Sequence, residues 1–137
     1  MILVDTSAWI EYDRATGSDV HHRLRDAIAS EERLAVTEPI VAEVAAGARD
    51  DRREQQLRRL LARCELLRFE AVTDFDGAVH IYRECRRHGV TPRGLLDCMI
   101  AAVALRHGAD LLAFDADLAR IATVMPLSLD EASLRPG

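Results

Sequence analysis

The chain has 137 residues, a length typical of one domain with a sizeable buried core. Hydrophobic residues make up 49% and charged residues 30%, which excludes a disordered chain. All 18 basic residues are arginine, so no P-loop or Schiff-base lysine exists, and no GxGxxG fingerprint for dinucleotides is present. The composition therefore indicates a globular protein whose chemistry does not depend on lysine.

Membrane and secretory features are not expected either. No apolar run approaches the ~20 residues needed to span a bilayer. The first residues, MILVDTSAW, lack a basic segment and contain Asp5, which argues against a signal peptide. The three cysteines are odd in number and widely spaced, which is typical of reduced thiols. We expect a cytoplasmic protein that makes no membrane contact.

Short apolar runs alternate with helical patterns along the whole chain. Strands are predicted at 2–4, 34–36, 66–69 and 111–114, with a weaker fifth at 124–129. Apart from a short helix after Asp5, helices are predicted at 18–32, 38–48, 50–64, 73–89, 92–108 and 115–122. In this pattern Thr73 caps one helix and Pro92 opens another. Such alternation predicts an α/β fold with a parallel sheet covered on both faces.

Acidic residues follow two of the predicted strands. Asp5 comes directly after the first strand and Asp115 directly after the fourth, with Asp117 two residues later. Ligands of open parallel sheets bind beyond the carboxyl ends of the strands, so these side chains could face each other there. The alternative is that Asp5 and Asp115 only cap the helices that follow them.

Two further acids lie within apolar helices. Asp97 is surrounded by LLDCMIAAVAL, a helix expected to be buried on all sides. Burying its charge costs several kcal/mol unless the carboxylate is paired or coordinated. Arg93, four residues earlier, could pair with this carboxylate on the same helix face. The helix N-terminus could also stabilise the negative charge, but by too little to offset its burial. Glu43 lies in PIVAEVAAGA, where its alternative role is a solvated position at a helix edge.

The five acids form an oxygen-only donor set that suits Mg²⁺ or Mn²⁺ rather than zinc. Carboxylates gathered closely repel one another and cannot all ionise without a cation. Divalent metal held by carboxylates is the usual equipment for phosphodiester cleavage. The acids of this set are Asp5, Glu43, Asp97, Asp115 and Asp117.

Four short motifs carry a resemblance to a known family. VDTS at 4–7, VAEV at 41–44, DCMIAA at 97–102 and FDAD at 114–117 resemble the motifs of PIN-domain nucleases. Their order and spacing are similar to those of VapC-type ribonuclease toxins, which are encoded beside a VapB antitoxin. The resemblance covers about residues 1–130, nearly the whole chain.

The resemblance implies a single three-layer α/β/α PIN-like domain over residues 1–137, with a five-stranded parallel sheet. It implies a metal-dependent endoribonuclease that cleaves cellular RNA, such as tRNA or rRNA, to arrest growth. It also implies a homodimer that forms a heteromeric complex with a VapB-like antitoxin.

The site residues are carried over from the same resemblance. Asp5, Glu43, Asp97 and Asp115 match the acidic quartet that binds Mg²⁺ or Mn²⁺ in the family. Asp117 matches an extra acid found in many members and is counted with the catalytic residues. The hydroxyl of Thr6 or Ser7 is expected to orient a ligand or phosphate.

The net charge of −5 does not argue against RNA binding. Without the five site acids, the remaining 18 acids balance the 18 arginines. Six arginines lie within 49–63 and four within 83–93. The first cluster fits an RNA contact and a solvated helix face equally well. The second is predicted to contact RNA, with Arg93 as a substrate-binding residue, because Arg93 directly precedes the helix of Asp97.

Two other functions remain possible from the sequence. A Mg²⁺-dependent phosphatase or phosphotransferase of the dehalogenase type also has an Asp after its first strand. That class needs a second Asp two residues later, where this chain has Ser7, and a lysine that the chain lacks. A catalytically silent RNA- or protein-binding PIN module is expected to have lost site acids, and none is lost here.

Overall fold

The computed structural model describes residues 1–135. In chain order its elements are β1 (Ile2–Val4), α1 (Thr6–Asp13), α2 (Asp19–Ala29), β2 (Leu34–Val36), α3 (Glu38–Ala46), α4 (Asp51–Leu61), β3 (Glu65–Leu66), α5 (Ala71–Arg87), α6 (Leu95–His107), β4 (Asp110–Leu112) and α7 (Ala116–Val124). The alternation of strands and helices confirms the predicted α/β class. Within the described residues, no helix combines the length and the apolar character needed to cross a bilayer.

The strands form one parallel sheet in the order β3-β2-β1-β4. In the centre, Leu3 is in register with Ala35 on one side and with Leu111 on the other. All three residues of β1 and of β2 are buried, as expected for strands covered by helices on both faces. The sheet therefore lies in the middle of the core, and the carboxyl ends of β1 and β4 lie side by side.

The predicted fifth strand is wrong over residues 1–135, where the sheet has four strands. Helix α7 extends to Val124, so the first residue of the predicted strand 124–129 is helical. After this helix, the chain up to residue 135 forms one parallel bridge, between Leu129 and Leu111. Pro126 has no N–H to donate to a ladder, which works against a longer strand.

Two helix starts also differ from the prediction. Helix α5 begins at Ala71 rather than at Thr73, because the carboxylate of Asp74 accepts a hydrogen bond of 2.7 Å from the N–H of Glu70. Helix α6 begins at Leu95, and its N-cap Gly94 is fully extended. Pro92 is buried but lies outside the helix.

Helix α6 is buried only after its first turn. Leu95 and Leu96 are 45% and 36% exposed, so the expectation of burial on every side is wrong for this end. From Cys98 onward the helix enters the core, and the Cys98 thiol is fully buried. The turn that carries Asp97 thus lies at the boundary between core and solvent.

A buried ion pair fixes α6 against α5. Asp74 is 1% exposed and accepts hydrogen bonds from Arg106, at 2.9 Å to Nε and 2.7 Å to Nη2. Nη2 of Arg106 also donates to the carbonyl oxygen of Arg68 at 2.8 Å. The pair joins both helices to the segment that precedes α5.

Candidate active site

Two acidic loops meet where the central strands end. Asp5 follows β1 and is the N-cap of α1, and Asp115 is the N-cap of α7. The N–H of Asp5 donates to the carbonyl oxygen of Leu112 at 3.0 Å, which extends the pairing of β1 with β4. The prediction that Asp5 and Asp115 lie at the same edge of the sheet is therefore confirmed.

Capping and a ligand role are compatible for both residues. Oδ2 of Asp5 accepts from the N–H of Ser7 at 3.0 Å and from its hydroxyl at 2.6 Å. Oδ1 of Asp115 accepts from the N–H of Leu118 at 2.9 Å. Each carboxylate caps its helix with one oxygen, and within residues 1–135 its second oxygen accepts no hydrogen bond.

The two hydroxyls predicted to orient a ligand or phosphate both donate hydrogen bonds to site acids. The Ser7 hydroxyl donates to Asp5 and accepts from the N–H of Phe114 at 2.9 Å, so it joins the two acidic loops. The Thr6 hydroxyl donates to Oε1 of Glu43 at 2.7 Å. Glu43 is exposed on α3, as the solvated-edge interpretation predicts, yet Thr6 ties it to the start of α1.

Three of the acids form a tight group. One carboxylate oxygen from each of Asp97, Asp115 and Asp117 lies within 4.8 Å of the others. Asp97 reaches this group from the first turn of α6, and the other two from the start of α7. The group differs from the predicted ligand set, in which Asp5 and Glu43 accompany Asp97 and Asp115.

Burial and mutual repulsion disfavour ionisation of the site. Burial raises the pKa of Asp5 to about 6; hydrogen bonds from Ser7 oppose this shift, and the charges of Asp115 and Glu43 add to it. Burial also raises the pKa of Asp97 to about 7, together with the charges of Asp115, Asp5, Asp117 and Glu43. These couplings connect Asp5 and Glu43 with the tight group. An oxygen-only set with such repulsion fits a divalent cation.

Asp117 has a different electrostatic environment. It is 1% exposed, and its Oδ2 accepts from Nε of Arg93 at 2.8 Å while its Oδ1 accepts from Nη2 of Arg120. Burial acts to raise the pKa of Asp117, but the hydrogen bonds from Arg93 and Arg120 lower it below its usual value. The alternative pairing of Arg93 with Asp97 is therefore wrong, since Arg93 pairs with Asp117.

The raised pKa values predict that the metal-free protein loses stability as the pH rises. Asp5 and Asp97 have folded pKa values of about 6 and about 7, above their usual value of 3.8. The native state therefore binds more protons than the unfolded state, and stability falls between about pH 4 and about pH 7. The pKa values of Asp74 and Asp117 are lowered, so above about pH 5 both carboxylates are charged in the folded and the unfolded state and add little to this slope.

The measurement is thermal unfolding in EDTA across that pH range, for wild type and for Asp97→Asn. We expect a decline of several degrees in wild type and a flatter profile in the variant. Equal slopes in the two proteins would show that Asp97 is not a source of the pH dependence.

The parallel sheet with acids gathered at its carboxyl edge places this chain among α/β proteins that bind ligands beyond the strand ends. A model of the PIN domain matches residues 2–124. Ribonuclease VapC11 of Mycobacterium tuberculosis is 45% identical over 136 residues, which cover 98% of this chain and 100% of that protein. The chain belongs to the PIN domain family and, within it, to the VapC ribonucleases.

Solved structures support the same fold. The VapBC2 structure from Rickettsia felis, bound to a DNA fragment from its promoter, has a TM-score of 0.74 at 18% identity and covers 98% of this chain and 99% of that chain. VapC20 of M. tuberculosis, a sarcin-ricin loop cleaving toxin, has a TM-score of 0.63 at 21% identity, with coverage of 90% and 94%. At these identities the likeness concerns the fold.

The sequence interpretation missed one residue of the site. Arg120 bonds the buried Asp117 from one turn further along α7. The i, i+3 spacing of the two residues on one predicted helix was the available signal.

Proposed function

We propose that this protein is a Mg²⁺- or Mn²⁺-dependent endoribonuclease that acts in the cytoplasm as the toxin of a type II toxin–antitoxin pair. We further propose that its substrate is a cellular RNA such as tRNA or rRNA. The observation that carries the proposal is the gathering of Asp5, Glu43, Asp97 and Asp115 at one sheet edge, with the pKa values of Asp5 and Asp97 raised. The 45% identity to a ribonuclease over nearly the whole chain supports the RNA substrate.

The four acids would hold the cation through oxygens that the fold leaves available. A bound divalent cation activates water and stabilises the leaving oxygen of a phosphodiester. Ser7 fixes the carboxylate of Asp5, and Thr6 fixes that of Glu43. Preorganisation of this kind keeps charged groups in place before the substrate arrives.

The second arginine cluster supports an RNA path to the site. Arg83 and Arg86 of α5 line a shallow groove together with Gly94 and Leu95, the residues that follow Arg93. Neither Arg83 nor Arg86 forms an ion pair within residues 1–135, so both are available for phosphates. In the first cluster, Arg53 pairs with Asp13 and Arg58 with Glu54, whereas its other four arginines make no ion pair within residues 1–135. That cluster therefore still fits an RNA contact and a solvated helix face equally well.

We also propose a homodimer neutralised by a VapB-like antitoxin. Asp5, Glu43, Asp97 and Asp115 form an acidic site that would attract an Arg or Lys side chain of the antitoxin. The VapBC2 structure from Rickettsia felis, which shares this fold, supports such a partner.

The two other functions gain no support from the site. A dehalogenase-type enzyme needs a second aspartate where Ser7 lies, and the Ser7 hydroxyl instead bonds Asp5. A silent module does not need the four acids, and the fold brings them together at high electrostatic cost.

The test is RNA cleavage by the purified protein with and without metal. We expect cleavage with Mg²⁺ or Mn²⁺, none in EDTA, and products with 5′-phosphate and 3′-hydroxyl ends. Asp5→Asn is the matched control for a contaminating nuclease, since it removes one site charge at nearly constant size. Full activity in EDTA, or 2′,3′-cyclic phosphate ends, would contradict the metal mechanism.

A further inference from the structure

Two arginines bind one buried carboxylate beside the acidic site. Asp117 is 1% exposed, and each of its oxygens accepts from a different guanidinium. Arg120 lies on the same helix, α7, whereas Arg93 comes from the loop that precedes α6. The contact from Arg93 therefore ties the loop next to Asp97 to the helix that follows Asp115.

Arg93 keeps most of its donors free. Its main-chain N and its Nε are directed at Asp117, and its two Nη atoms make no hydrogen bond within residues 1–135. The side chain is 79% exposed, although it is held at its Nε. The charges of Asp115 and Asp97 also act on this guanidinium, which places it at the mouth of the acidic site.

We propose that Asp117 is a positioning residue rather than a metal ligand, and that it holds Arg93 so that the free N–H groups bind a phosphate oxygen of the RNA at the acidic site. The inference rests on the proposed endoribonuclease function and adds a substrate contact to it.

Charge explains why Asp117 differs from its neighbours. Asp117 faces two guanidiniums, and the group of three carries a net charge of +1. A divalent cation bound to the same carboxylate would add repulsion from both arginines, whereas a phosphate would be attracted. Asp97 and Asp115 make no ion pair within the described part of the chain, so their charges are available to a cation.

Preorganisation is the expected benefit of this arrangement. A free arginine loses much rotamer freedom when it binds a phosphate. Arg93 is already fixed at Nε by Asp117, so its planar end is oriented before RNA arrives. An arginine directed at developing phosphate charge accelerates transfer only when its position is maintained.

The experiment compares Arg93→Ala, Asp117→Asn and the double variant with wild type. Three readouts are measured: cleavage of a single-stranded RNA with Mg²⁺, binding of the same RNA with Ca²⁺, and the shift in melting temperature caused by Mg²⁺. Arg25→Ala is the matched control, because Arg25 is an exposed arginine of α2 that pairs with its neighbour Asp26. Asp97→Asn is the reference for a lost metal ligand.

We expect Arg93→Ala and Asp117→Asn each to lower kcat/KM on the order of 10²-fold. Both should still be stabilised by Mg²⁺, and the double variant, in which this group keeps its net charge of +1, should show the wild-type shift. The double variant should be no worse than Arg93→Ala, because Asp117 acts through Arg93. Arg93→Ala should also reduce the slope of log K against log salt by about 0.7, as expected for one lost contact to single-stranded RNA.

Several outcomes would overturn the inference. Loss of the Mg²⁺ shift in the double variant, in which this group keeps the net charge of +1 that it has in wild type, would make Asp117 a metal ligand. Stronger RNA binding with normal cleavage in Asp117→Asn would mean that Asp117 only repels RNA. If Arg93→Ala cleaves RNA as well as Arg25→Ala does, Arg93 makes no contact with the RNA that matters for cleavage. If Asp117→Asn does not fold, the test rests on Arg93→Ala and Arg93→Lys. Both are expected to fold, because the Arg93 side chain is exposed.

The proposed function fails in a different way. A wild type that neither binds nor cleaves RNA would overturn the proposed function together with this inference. An active wild type with an unaffected Arg93→Ala would overturn the inference alone.

Discussion

Asp97→Asn is expected to abolish RNA cleavage and still give a folded protein that melts higher than wild type in EDTA. Asp97 is half-buried, and burial with four neighbouring acids raises its pKa to about 7. Asparagine keeps the size and removes both the repulsion and the cost of a buried charge. The metal loses one of its proposed ligands, so cleavage should fall by several orders of magnitude and induced expression should no longer arrest growth.

The deciding measurement is the melting temperature with and without Mg²⁺. Wild type should gain stability from Mg²⁺ by mass action, and Asp97→Asn should gain much less. Asp110→Asn is the matched control, because Asp110 lies at the opposite end of β4 and bonds the Ser128 hydroxyl. An equal gain from Mg²⁺ in Asp97→Asn and wild type would exclude Asp97 from the metal site.

The sequence could predict the acidic edge because that edge depends on strand topology. The runs at 2–4 and 34–36 are continuous apolar segments, and they form β1 and β2 with the predicted bounds. Once the sheet is parallel, residues that follow neighbouring strands must meet at the same edge. The positions of Asp5 and Asp115 follow from this rule without any knowledge of side-chain contacts.

The partner of Arg93 could not be predicted in this way. The i, i+4 rule that relates Arg93 to Asp97 holds only when both residues lie in one helix. Helix α6 begins at Leu95, so Arg93 lies in the loop before the helix and reaches Asp117, 24 residues away in the chain. A contact between segments this far apart depends on tertiary packing, which local periodicity does not contain.

The start of α5 was missed for a related reason. A capping pattern at Thr73 uses only neighbours in sequence, whereas the actual start depends on Asp74. That carboxylate bonds the N–H of Glu70 and also Arg106, which lies on α6. A long-range ion pair thus selects between two locally acceptable starts of the helix.

The same ion pair gives the second large effect, because Asp74→Asn is expected to destabilise the protein and leave cleavage intact. Asp74 is 1% exposed and accepts hydrogen bonds from Arg106 with both oxygens. Asparagine has one acceptor oxygen and no charge, so the guanidinium of Arg106 would lose its counter-charge and one hydrogen bond. Breaking a buried pair costs about 3–5 kcal/mol, and the 29% exposure of Arg106 reduces this to roughly 2–3 kcal/mol. In a domain of this size that is about 10 °C in melting temperature.

Thermal unfolding at neutral pH measures the effect, and Asp26→Asn is the control from an exposed pair, with an expected cost below about 1 kcal/mol.

The pKa of Asp74 is lowered, since hydrogen bonds from Arg106 and Glu70 outweigh its burial. Its contribution is therefore present above the usual pKa of 3.8 and is lost as the pH falls further, so the difference between wild type and variant should shrink in acid. Asp97→Asn should behave in the opposite way, with higher stability in EDTA and no cleavage. If Asp74→Asn instead lost cleavage while keeping its melting temperature, Asp74 would belong to the site and not to the scaffold.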